Sequence, residues 1–203
     1  PFALSREGES VYLRSGSGGV LSGYSERATF GPSDPGVTVG WYVNSAGVSE
    51  FVPLSEATPG QANASPRVGP IVISEIVYHP DVLASAEYVE LFNISDTDVM
   101  LYDAAQMMPW RFTDDPEDPT IEFLLPDDPP VTLEPGRCLV LAKDLALFKA
   151  VYAARLTAQV LDWGAGSLDD DGAALRLYKP GDFDDEGQPQ WIVVDHVTYS
   201  DGS

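Results

Sequence analysis

The chain has one cysteine, two histidines and eleven basic residues among 203, and its apolar runs are no longer than a strand. Each scarcity removes a class of protein. A lone Cys138 excludes an internal disulfide framework and any cysteine-rich zinc site. His79 and His196 have no partner at metal-ligand spacing, and no serine elbow or glycine-rich phosphate loop stands near them. Runs such as "CLVLA" and "WIVV" fall far short of the roughly 20 residues that carry a helix across a bilayer. Eleven Lys and Arg against 32 Asp and Glu give a net charge of -21, which repels nucleic-acid phosphates and anionic lipid. Neither nucleic acid nor membrane insertion is expected. The opening "PFALSREGES" lacks an initiator methionine and a signal peptide, and reads as a piece cut from a longer protein.

What the chain does have is alternation. Val37, Val39, Trp41 and Val43 share one face of an extended segment, as do Ile121, Phe123 and Leu125. Further strand-like runs occupy 70–78, 87–93, 98–102, 137–142, 173–178 and 190–199, separated by Pro, Gly, Asp and Asn clusters. Short strands at this spacing predict an all-β antiparallel sandwich. One short helix is expected, capped by Asp144, with Leu145, Phe148, Val151, Tyr152 and Leu156 on one face. "LEPGR" predicts a type II turn that delivers the chain into a strand at Cys138, whose thiol is expected in the core.

A repeat divides the chain. "LSREGESVYLRSGSG" from Leu4 returns 164 positions later as "LDDDGAALRLYKPGD" from Leu168, with Leu, Gly and a strand Leu in register. Residues 1–63 are therefore expected to be the back part of one module, 64–69 a linker, and 70–203 a second module without its closing tail.

From 70 onward the ordered pieces "VISEIVYHP", "EYVELFN", "IEFLLP…VTLEPGRCLVLAKD", "GSLDDDGAALRLYKPG" and "VVDHVTY" resemble the lamin tail domain family, and "TPGQAN" in the first module resembles its closing motif. No heptads accompany them, so the resemblance is to the bacterial secreted or cell-surface type and not to nuclear lamins. It implies an immunoglobulin-like sandwich and a non-catalytic binding or architectural module in a tandem array, with a protein or surface polymer as partner. Residues 37–63 would fill the place of the missing tail, in cis or in a segment-swapped homodimer.

Three carboxylates, Glu75, Glu90 and Asp195, fall inside strands and need donors. A pair of them across a cleft would suit glycoside chemistry, which sets the alternative: a calcium-stabilised carbohydrate-binding or carbohydrate-active module. For calcium, Asp182, Asp184 and Glu186 occupy positions 1, 3 and 5 of a loop with Gly187 at position 6, but Val193 stands where a bidentate Glu belongs. Asp169 and Asp171 are the candidates for added ligands; otherwise both acidic stretches serve as turns. Trp110, Trp163 and Trp191 would mark a binding face if exposed.

Overall fold

The computed structural model describes residues 3–81, 83, 85–152 and 156–201. Two compact units are present. The first comprises Pro1–Arg67 and Gly181–Ile192, the second Val68–Pro180 and Val193–Ser203, so residues 181–192 group with the first unit and not with the rest of 70–203.

In the first unit β1 (Glu9–Ser17) pairs antiparallel with β2 (Val20–Phe30) through a two-residue Gly18–Gly19 turn, both glycines at positive φ as a type I′ hairpin requires. A second hairpin joins β3 (Val39–Val43) to β4 (Ser49–Pro53). The alternation expected in 37–43 is present, but Trp41 and Val43 face outward and Gly40 is the buried residue. A Cβ at Gly40 would press on Asn63 and Leu54, and the Asn63 amide donates to the Trp41 carbonyl at 2.9 Å. Residues 37–63 thus lie within the first unit.

The second unit is an all-β sandwich. Its strands are, in order, β5 (Ile71–Val77), β6 (Tyr88–Asn93), β7 (Val99–Met100), β8 (Tyr102–Asp103), β9 (Met108–Pro109), β10 (Arg111–Thr113), β11 (Glu122–Leu124), β12 (Thr132–Leu133) and β13 (Cys138–Ala142). The helix α1 (Leu145–Tyr152), β14 (Gln159–Asp162), β15 (Gly172–Phe183) and β16 (Pro189–Ser200) complete the chain. One sheet runs β14-β13-β6-β5 and the other β11-β10-β15-β16. Between them lie Ile71, Val89, Leu91, Phe112, Leu139, Leu141, Leu175 and Leu177, all fully buried. Period-two alternation puts these residues on the inner faces of their strands.

One pair departs from the antiparallel rule. β13 and β14 run parallel, which needs a crossover, and α1 supplies it. Asp144 caps the helix as expected, its carboxylate accepting from the Ala146 and Leu147 amides at 2.9 Å each. The expected helix ran on to Leu156; α1 itself ends at Tyr152, and residues 153–155 lie outside the described residues. Gly136, at φ 68°, and the bond from Arg137 N–H to the Glu134 carbonyl (3.1 Å) make the turn into β13.

Two buried polar groups tie loops to this framework. Asn93, with no exposed surface, donates to the Thr97 and Leu133 carbonyls and accepts from the Ser95 amide and hydroxyl. Glu87 is 4% exposed; one oxygen meets Lys143 Nζ at 2.7 Å and the other accepts the Leu168 N–H at 2.7 Å. A buried carboxylate must be paired and hydrogen-bonded in this way, because desolvation otherwise expels it.

Candidate functional site

Broken alternation in β5 creates the most chemically varied surface of the second unit. Ile71 and Ile73 face the core, yet the next core-facing residue is Ile76, three positions on instead of two. The pairing shows why: Ile73 opposes Leu91, Glu75 opposes Glu90, and Ser74 is the extra residue of a β-bulge. The bulge turns Glu75 to the outer face, directly across from Glu90.

That outer face is the floor of a groove of about 920 Å³, walled by α1 and the 156–159 segment. Ser74 donates to Glu90 Oε1 at 2.8 Å. The Tyr88 phenol lies beside Glu75 and the Cys138 thiol beside Glu90. Burial, then the Glu75 carboxylate, pushes the Tyr88 phenol up. Burial, then the neighbouring Glu90 carboxylate, pushes the Cys138 thiol up to about 11. Aromatic rings form the far wall: Tyr88 meets Phe148 edge to face at 5.2 Å and Tyr152 at 5.3 Å. Below them, Val140, Ala142 and Phe148 make a small second core. At the other end Arg137 and Glu134 face each other at 3.7 Å.

Cys138 is therefore not the core thiol the sequence suggested. It is half-buried on the outer face, because its strand is apolar on both sides for two different reasons: Leu139 and Leu141 fill the sandwich, while Val140 and Ala142 are covered by α1. Both causes favour the protonated thiol, which is a weak hydrogen-bond donor.

The third strand carboxylate lies elsewhere. Asp195 accepts the Ile73 N–H at 2.7 Å, at the bulge, so the edge strand β5 loses a free donor there. Burial raises the Asp195 pKa, opposed by its backbone hydrogen bonds. His196 is exposed, and His79 Nδ1 stands 3.8 Å from Asp170 with both side chains exposed. Trp110 and Trp163 are buried and Trp191 is half-buried, so the first two belong to the core.

The acidic stretches act as turns. Asp184 Oδ1 accepts the amides of Glu186 (3.0 Å) and Gln188 (2.6 Å), and Gln190 donates to its other oxygen at 3.3 Å. Asp182 stands 3.8 Å from Arg6, with both side chains exposed. In the β3–β4 hairpin Asn44 makes the same pattern with neutral atoms: its Oδ1 accepts the Ala46 and Val48 amides at 3.0 Å. Gly47 and Gly187, at φ 79° and 77°, close the two turns alike. Asp169 Oδ1 accepts the Asp171 amide at 2.9 Å, and its carbonyl accepts the Tyr199 hydroxyl. Among the described residues no group of three or more His, Cys, Asp or Glu that could hold a metal ion is found.

No protein-family model matches the chain, and no curated protein matches it. The site must be read from its own chemistry.

Glu75 and Glu90 are each legible in the sequence as strand carboxylates, but their adjacency is not, since it depends on a bulge. The "ISEI" spacing was the available signal. Tyr88, Phe148 and Tyr152 escaped notice as groove residues because helix and strand periodicity assigns them simply to apolar faces.

Proposed function

We propose that the chain is a non-catalytic binding module of the immunoglobulin-like, lamin-tail type, belonging to a large secreted or cell-surface bacterial protein. Its binding face is the groove over β5, β6 and β13, and its ligand a protein or a surface polymer. One observation carries this reading. The groove combines aromatic and aliphatic walls with a floor on which Glu75 and Glu90 face each other, and with a phenol and a thiol that burial and those carboxylates keep protonated. Such groups orient a ligand without exchanging protons with it near neutral pH.

The test is a panel of soluble cell-surface polysaccharides and extracellular-matrix peptides, titrated into 15N-labelled protein. Binding should shift the amides around Tyr88, Glu90 and Cys138, and Glu75→Gln with Glu90→Gln should weaken it about tenfold or more. Shifts confined to other surfaces would overturn the assignment.

The adjacent carboxylates favour a second reading, a carbohydrate-binding or carbohydrate-active module, with calcium at the acidic turns as its stabiliser. Release of reducing sugar from any polysaccharide of the panel, lost in Glu90→Gln, would establish it. A calcium titration followed by melting tests the metal, because an ion bound only by the native state raises Tm.

A further inference from the structure

Charge divides sharply between the two faces of the β1–β2 hairpin. The pairs Tyr12↔Arg27 and Arg14↔Ser25 put Ser10, Tyr12, Arg14, Ser25, Arg27 and Thr29 on one face. Glu9 and Glu26 stand on the other, opposite Phe30 and Leu13. The first face therefore holds two arginines and no acid. Ser10 is half-buried there and the other five residues are exposed.

Arginines elsewhere in the chain are answered by acids: Arg6 meets Asp182, Arg67 meets Asp34, Arg111 meets Glu122 and Arg137 meets Glu134. With 32 acidic side chains against 11 basic ones, such pairing is easy to supply. Among the described residues Arg14 and Arg27 form no ion pair. Both lie over the Tyr12 ring, at 5.0 and 5.7 Å from its centroid. Arg27 also donates to Ser10 Oγ through Nε (3.2 Å) and Nη2 (2.9 Å), and Ser10 bonds Thr29 at 2.8 Å. A guanidinium carries five N–H donors, so most of both forks stays open. The register makes the two arginines diagonal neighbours, about 7–8 Å apart at the backbone. Like charges held this close repel each other, and an anion bound between them relieves the repulsion. Stacking on Tyr12 orients both forks in advance, so less freedom is lost when a ligand arrives.

The second copy of the repeat supplies the contrast. Its turn matches the first, since Gly8 N–H meets the Ser5 carbonyl as Gly172 N–H meets the Asp169 carbonyl. The 164-residue offset sets Arg176 and Tyr178 at the places of Tyr12 and Arg14. There the guanidinium is used inside the fold, Arg176 Nη1 donating to the Asp114 and Ala174 carbonyls at 3.4 and 3.3 Å.

Shape and composition narrow the ligand. The face belongs to a sheet of only two strands and is open, whereas small-molecule sites are concave. A chain of repeated anions gains by engaging both forks at once. Hydroxyls and guanidiniums surround a single ring here, while the centre of a protein–protein interface is poor in serine and in charge. Nucleic acid carries its phosphates too densely for a chain of net charge -21, at about one per 1.7 Å of duplex. A polysaccharide with carboxylates at intervals meets less repulsion, and a planar carboxylate fits the guanidinium fork through two parallel hydrogen bonds.

We propose that this face of the β1–β2 hairpin binds a carboxylated polysaccharide, with Arg14 and Arg27 each taking a sugar carboxylate and the hydroxyls of Ser25 and Thr29 meeting those of the sugar. The surface is separate from the groove over β5, β6 and β13 and does not depend on it.

The test titrates the full 15N-labelled chain with oligogalacturonate. Amides of Ser10–Arg14 and Ser25–Thr29 should shift, and Arg14→Gln and Arg27→Gln should each weaken binding about tenfold or more. Melting should stay near that of the parent, because both side chains are exposed. Arg14→Lys keeps the charge without the fork and should fall between Arg and Gln. Lysine binding as tightly as arginine would reduce the site to unspecific charge and overturn the proposal. Absence of shifts in the hairpin overturns it, as do shifts centred on Tyr88, Glu90 and Cys138, which would assign the polymer to the groove. Neutral dextran bound equally well would remove the role of the arginines. Tighter binding of polyglutamate or of dextran sulfate through the same amides would assign the face to an acidic peptide or a sulfated polymer and overturn the carboxylated one.

Discussion

The first and second repeated hairpins share a turn, a glycine with a blocked Cβ direction and an apolar alternation, but only the second has its leucines in a core. Local sequence is enough to form either hairpin. The stability of each strand then depends on what packs against it, because burial of apolar area, and not strand propensity, supplies most of the free energy. The same lesson appears at the acidic loop, where Asp184 and Asn44 make equivalent turns although one is charged and the other is not. There the charge is incidental and the acceptor geometry is what the fold uses.

The largest effect is expected for Leu177→Asp, which places a charge in a dry core and should cost more than about 4 kcal/mol, against under about 0.5 kcal/mol for Leu13→Asp. Urea titration of both variants decides it, and comparable losses would mean that the first hairpin is covered after all. Next comes Glu87→Ala. Glu87 pins the second turn through Leu168 N–H and Lys143. Removing it leaves Lys143 without its carboxylate and should cost about 3–5 kcal/mol. A change below about 1 kcal/mol would show the pair to be dispensable.

Smaller effects are expected at the charge-independent turns. Asp184→Ala and Asn44→Ala should each cost about 1 kcal/mol, whereas the exchanges Asp184→Asn and Asn44→Asp should stay within about 0.5 kcal/mol. If Asp184→Asn lowered Tm only when calcium is present, the aspartate would be a ligand and the equivalence would fail.

The subtlest prediction is a slope. Asp195 has a folded pKa above its unfolded value near 4, so the folded state holds its proton more tightly. Its contribution to stability is fully present below that unfolded value and is lost as pH rises through the folded one. Stability measured across the acid range should therefore fall less steeply with rising pH in Asp195→Asn than in the parent. An identical slope in the two proteins would remove Asp195 from the account.

Much of the architecture could be read from residue order. Alternation in 70–78 and 87–93, the Asp144 cap and the Pro135–Gly136 turn are local signals, and each forms where local chemistry dictates. The groove was far less legible. A one-residue bulge at Ser74 decides which way Glu75 points, and the parallel β13–β14 pair decides that α1 lies over Val140 and not in solvent. Neither choice has a signature within a short window, since both are settled by pairing between segments distant in the chain.

Strand periods, turns, the repeated hairpin and a strongly negative charge are written in residue order, because they follow from backbone sterics, alternation and simple counting. That Leu177 is core while Leu13 is surface, that Glu75 and Glu90 meet, and that Cys138 looks outward came from packing between distant segments. The physical reason is that burial and desolvation belong to the packed neighbourhood, so identical residues in identical turns can have different energies.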